Sequence, residues 1–176
     1  MLKRLAIALL VATLIAPAAA LGQTRRRSSK PTTPSQSSAQ KIAQVRNNGA
    51  TEVATQIKLM TKFIYLLGGA ANGIAAVDDA IKKNQASPQL IQSNEQNKAV
   101  VKKGFQDFRE GLDRLEISFR NQPELQPYYI QLAGSAAGAA KAEEQAVAGQ
   151  YDAGGRTLLT VINRLTDVLV AMRQER

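Results

Sequence analysis

The side chains able to do chemistry in this chain of 176 residues are carboxylates, hydroxyls and amines, because it contains no Cys and no His. That excludes a disulfide framework, a Cys or His zinc site, covalent haem attachment, a thiol nucleophile and an imidazole base. The acids to consider are Asp78, Asp79, Asp107, Glu110, Asp113, Glu116, Glu143 and Glu144. Two carboxylates can divide acid and base work when their surroundings separate their pKa values. Their spacing points elsewhere. Asp78 precedes Lys82, Asp79 precedes Lys83, Glu110 precedes Arg114 and Glu116 precedes Arg120, each by four residues. This is the pattern of ion pairs along exposed helix faces, which stabilise by a few tenths of a kcal/mol apiece. Gly134-Ser135-Ala136-Ala137-Gly138 departs from the Gly-x-Ser-x-Gly elbow of a serine nucleophile, and no base is present to serve Ser135. Gly154-Gly155-Arg156-Thr157 lacks both the lysine and the preceding strand of a phosphate-binding loop. The sequence therefore assigns no catalytic residue, no cofactor site and no metal site. A carboxylate-dependent enzyme is the remote alternative, and it needs two of these acids to converge in a concave pocket.

The basic residues have a clearer layout. Lys and Arg number 23 against 14 Asp and Glu, for a formal charge of +9. Lys3 and Arg4 precede an apolar run from Leu5 to Ala16, followed by Pro17 and the small residues Ala18 to Ala20. Such an arrangement predicts a secretory signal peptide over residues 1–22, cleaved after Ala20 or after Gly22. The chain is then exported, to the periplasm or beyond. The alternative, an uncleaved membrane anchor, has about 16 apolar residues where a spanning helix needs roughly 17 to 25. Arg25, Arg26, Arg27 and Lys30 follow at once, in a Ser-, Thr- and Pro-rich segment without large apolar side chains. Residues 23–40 cannot bury enough surface to offset ordering entropy and are expected to form a disordered tether. Its four cations are candidate contacts to an anionic lipid or envelope polymer. No aromatic is interleaved with them to stack on bases, so nucleic acid is not the expected partner. Two charges lie in the leader and four in the tether, while no acid precedes Glu52; taking these from +9 leaves +3 on residues 41–176.

The rest of the chain reads as helix. Val53, Ile57, Met60, Ile64, Leu67, Ala71, Ile74, Asp78 and Ile81 alternate steps of four and three, a coiled-coil-like stripe on one helix of about residues 50–83. The stripe keeps phase through Gly68-Gly69, which favours one continuous helix over a turn there. Ser87 and Pro88 suit the N-cap and first position of a second helix, about 88–121. Its stripe is Val101, Phe105, Phe108, Leu112, Leu115 and Phe119, and the same register carried backwards reaches Asn94 and Lys98. A third helix is expected over about 124–148, with a face of alanines and Gly134 and Gly138. That small face admits close approach of another backbone, and Phe105 and Phe108 are expected against it. A fourth, about 152–175 with Asp152 as N-cap, carries Leu158, Val161, Leu165, Val168 and Met172.

Four amphipathic helices with short connections predict an all-α, antiparallel four-helix bundle. The second helix outruns the third by roughly 13 Å at 1.5 Å per residue, so the hairpin of helices one and two should project. Pairing across the turn near Gln85 sets Asp78 beside Asn94, with Lys98 within about a turn. The three polar interruptions of the two stripes thus form a candidate polar tip. The expected role is that of a non-catalytic interaction or structural module, working through a protein partner or self-association. Electrostatic adhesion to an anionic membrane or envelope surface through Arg25, Arg26, Arg27 and Lys30 is the alternative.

Overall fold

The stripe that begins at Val53 lies on a single helix. In the computed structural model, which describes residues 34–174, the chain is all-helical, with no strand among the described residues. Five helices follow in order: α1 Pro34–Lys82, α2 Pro88–Asn121, α3 Gln126–Leu132, α4 Ser135–Val147 and α5 Tyr151–Gln174. The leader and the tether cations Arg25, Arg26, Arg27 and Lys30 lie outside the described residues.

Each of the four long helices packs on two others. α1 contacts α2 and α5, and α4 contacts the same two, so the chain runs up, down, up and down around one core. From α1 that core takes Val53, Met60, Leu67, Ala71 and Ile74; from α2, Val101, Phe105, Leu112, Leu115 and Phe119. Helix α5 contributes every residue of its expected stripe, Leu158, Val161, Leu165, Val168 and Met172.

Turn chemistry fixes one end. Asn84 adopts a left-handed φ of 56°, its N–H bonds to the carbonyl of Ile81, and the N–H of Gln85 reaches Ala80. This pair of bonds closes the last carbonyls of α1. The Ser87 hydroxyl then accepts from the N–H of Leu90, with Pro88 in the first turn of α2. Gly149, at φ 79°, closes α4 in the same way through Ala146, while Gln150 bonds to Gln145. Helix α5 starts at Tyr151, so Asp152 lies in its first turn and is not the N-cap.

Two further boundaries differ from the sequence reading. Helix α1 begins at Pro34, taking in the end of the segment expected to be a disordered tether and running through Asn47-Asn48-Gly49. Gly49 is a packing position here: a Cβ on it would meet Leu125 at 3.0 Å and Met172 at 3.3 Å. The turns before Val45 thus continue past the level of Met172. Gly68 and Gly69 remain helical, as the unbroken phase predicts.

The helix expected over 124–148 is two helices, broken at Ala133-Gly134. Gly134 has φ 88°, and the groups freed by the break find partners on neighbouring helices. Arg164 donates to the Ala133 carbonyl at 2.9 Å, and the Ala136 N–H donates to the Glu116 carboxylate at 2.8 Å. The short α3, with Leu125 just before it, covers the end of the core through Leu125, Tyr128 and Leu132.

Close approach is concentrated where glycine faces another helix. A Cβ on Gly154 would lie 3.0 Å from both the Ala142 carbonyl oxygen and the Phe105 ring. One on Gly138 would lie 2.7 Å from Val161. The small face of α4 therefore does admit a neighbouring backbone, with Phe105 buried beside it. Phe108 is placed differently. It is half-buried, with its ring edge-on to Phe63 of α1 at 5.2 Å, while Phe63 also meets Phe105 at 5.1 Å. The α1–α2 seam holds Phe108, not the alanine face.

Candidate functional site

Helix α1 delivers Asp78 and helix α2 delivers Asn94 and Lys98 to one place. The Asn94 amide donates to Asp78 Oδ1 at 2.7 Å, and Lys98 Nζ lies 2.7 Å from the same oxygen. Lys98 also reaches Glu95 at 2.9 Å. Asn94 is only 1% exposed and its Oδ1 is buried without a hydrogen-bond partner. The amide orientation follows from Asp78, because the flipped form would set two acceptors against each other. Tyr151, at the start of α5, is buried alongside.

The electrostatics follow from these contacts. The Lys98 ammonium is held above its usual pKa, first by the hydrogen bond to Asp78 and then by that to Glu95. Burial pushes the Tyr151 phenol upward, against a smaller opposing pull from Lys98. Next to the cluster, between α1, α2 and the α4–α5 turn, is a cleft of about 350 Å³ lined by Asn72, Asp78, Lys98, Lys102, Tyr151 and Asp152.

Sequence reasoning placed Asp78, Asn94 and Lys98 at an open tip. The structure brings them together beside the α4–α5 turn and Tyr151, with Asn94 buried and Asp78 and Lys98 partly exposed along the cleft. The exposed part of the hairpin lies beyond them, from Asp79 to Ser93. The missing signal was Tyr151, which reads in the sequence as a turn residue.

The other acids are tied within the chain. Arg109 bridges α2 to α4 through Glu143 at 2.6 Å and also meets Asp113 at 3.3 Å and Glu110 at 3.7 Å. Its guanidinium is held still further up by Glu143. Lys103 pairs with Asp107 at 2.8 Å, and Lys82 pairs with Asp79 at 3.4 Å. None of the four expected acid-before-base pairs closes among the described residues. Asp78 turns across to α2 instead, and Glu116 turns to the start of α4. Among the described residues no three acids stand close enough to hold a metal ion. Ser135 is buried and its hydroxyl donates to the Leu132 carbonyl at 2.7 Å, which makes it part of the α3–α4 break.

One helix segment, Ser37–Lys82, contains a stretch long and apolar enough to cross a membrane by length and composition, of which 22% is buried. Comparison of the chain with protein-family models, with curated proteins and with solved structures finds no match in any of the three.

Proposed function

We propose that the chain is an exported, non-catalytic helical-bundle module that acts by contact, with a protein partner or with itself. The observation that carries this reading is the outer side of α1. Leu59, Tyr65 and Leu66 stand 49%, 85% and 57% exposed there although the inner side packs normally, and exposed apolar surface of this kind occurs at interaction sites. The carboxylates support the same reading, since Asp78, Asp107, Glu110, Asp113, Glu116 and Glu143 each bond to a neighbour within the chain.

Photo-crosslinking residues placed one at a time along outer α1, and for comparison along outer α4, test this in the cells that make the protein. A discrete adduct from α1 positions alone is the expected result. Uniform silence from α1 would overturn the contact reading. Export is tested by the mass of the mature chain, which should begin at Leu21 or Gln23.

The second reading is adhesion to an anionic surface, favoured by the run Arg25, Arg26, Arg27 and Lys30 with no acid before Glu52. Retention of the mature chain on anionic vesicles should then fall with salt. Retention unchanged by deleting residues 23–33, which leaves α1 whole, would rule it out.

A further inference from the structure

The groove between α4 and α5 gathers positive charge. It opens at the α3–α4 break and holds about 250 Å³, lined by Gly134, Gly138 and Lys141 on one side and by Thr157, Thr160 and Arg164 on the other; none of its lining residues carries a carboxylate. Arg164 is fixed there. Its Nη1 donates to the Ala133 carbonyl at 2.9 Å, and it lies so close over Gly134 that a Cβ on that residue would meet the same nitrogen at 2.7 Å. A backbone carbonyl is a neutral partner, so the guanidinium keeps its full charge and its remaining N–H groups for a further acceptor. Neither Arg164 nor Lys141 has a carboxylate within salt-bridge distance among the described residues: Glu143 is taken by Arg109, and Glu144 and Asp167, the acids nearest in sequence, pair with neither. Glu116, the acid that does reach the break, comes from α2 and accepts from the Ala136 N–H at 2.8 Å. The Thr157 hydroxyl is committed to Gln145 at 2.7 Å, whereas that of Thr160 has only a long bond, 3.4 Å, to the Arg156 carbonyl and is free to turn.

We propose that this groove binds a phosphoryl group, as inorganic phosphate or on a small ester, with Arg164, Thr160 and Lys141 as its donors. The charge of the lining selects an anion. Donors arrive from two helices: a planar fork and a hydroxyl on α5, and an ammonium on α4. That set suits a group whose oxygens point in several directions better than a flat carboxylate, which a single fork satisfies. Thr160 stands one turn from Arg164, about 6 Å along α5, so the two side chains reach one ligand. Glycine at 134 then has a second purpose beyond its left-handed backbone, because any side chain there would push the guanidinium off the groove. The site lies away from outer α1, so it stands or falls apart from the contact reading above.

The test titrates inorganic phosphate into the full mature chain at about pH 8, above the second ionisation of a phosphate, at constant ionic strength and read by amide NMR shifts. Saturating shifts centred on Gly134, Gly138 and Thr160 are expected. Lys141→Glu, which removes no bond within the chain, should raise the dissociation constant at least tenfold. Arg164→Lys keeps the charge and a donor for Ala133 but loses the fork, and should raise it several-fold. Lys62→Glu makes the same change of net charge on α1 and should leave the constant within about twofold. Glycerol 3-phosphate binding as tightly as phosphate assigns the group to a small ester, and binding of phosphate alone assigns it to the free ion; either sustains the site. Shifts that never saturate overturn the proposal. So do equal losses from Lys141→Glu and Lys62→Glu, which mark unspecific attraction to a basic chain, and acetate bound as tightly as phosphate.

Discussion

Asp78→Ala isolates the polar contact between α1 and α2. In the native chain Asp78 Oδ1 accepts from the Asn94 amide and pairs with Lys98. Removing the carboxylate strands a buried amide donor, which costs about 1–3 kcal/mol. It also removes a partly exposed ion pair of about 0.5–1 kcal/mol. The expected loss is therefore about 1.5–4 kcal/mol in urea denaturation. In an Asn94→Leu background the stranded amide no longer exists, so the same Asp78→Ala change should cost only about 1 kcal/mol or less, the ion pair alone. Asn94→Leu by itself exchanges a hydrogen bond to a charged group, about 1.5–3 kcal/mol, against relief of the unpartnered buried carbonyl, about 1–3 kcal/mol. Its net effect should stay within about 1 kcal/mol of zero, since the two ranges overlap. An equal cost of Asp78→Ala in both backgrounds would refute the contact. A loss above about 3 kcal/mol for Asn94→Leu would show that the carbonyl has a partner after all.

Other expectations test packing and titration. Lys98 and Tyr151 both have raised pKa values in the folded chain. The folded state then holds more protons than the unfolded one above about pH 10, so stability is complete below that pH and falls as the groups lose their protons. Lys98→Met should flatten this alkaline fall in melting temperature, and an undiminished fall would refute its origin there. Gly154→Ala should destabilise by about 1–2 kcal/mol, since overpacking against a backbone carbonyl outweighs the better helix propensity. Gly69→Ala, where a Cβ would meet nothing within 4 Å, should instead stabilise the chain by about 0.5–1 kcal/mol in thermal melts; equal signs at the two positions would contradict the packing described. Phe105→Ala should cost about 3–5 kcal/mol, and half-buried Phe108→Ala about half as much, so a larger loss at Phe108 would mean that the two rings are exchanged.

The stripes were legible because a helix face repeats, and each stripe is long enough to override local breakers such as Gly68-Gly69. The break at Gly134 was not legible. In the sequence it sits in a run of small residues that reads equally well as a packing surface, and what stabilises it comes from far away, Glu116 on α2 and Arg164 on α5. The start of α1 was set near residue 50, with a lead-in from Ser38 the weaker reading, because its first turns are polar; Gly49 beneath Leu125 and Met172 shows why the helix passes Asn47-Asn48-Gly49. Pairing across a hairpin predicted the meeting of Asp78 with Asn94, but how far the cluster is covered depended on Tyr151, whose position no stripe in α1 or α2 could report.

The buried Asn94 amide and the Asp78 oxygen it meets form one polar layer between α1 and α2. Sliding α2 along α1 by one heptad would replace Asn94 with Val101 opposite Asp78 and leave the carboxylate facing an apolar side chain. The opposite slide would carry Asn94 toward the apolar level of Ala71 with no acceptor for its amide. Either slide separates the Asn94 amide from Asp78, whereas exchanging one leucine layer for another costs little, so a single polar layer favours one register among those the apolar stripes tolerate alike. This also accounts for the position of the layer beside the long hairpin turn. The segment from Asp79 to Ser93 has no other helix against it to set its alignment, and the last covered level before it is where a register lock has most effect.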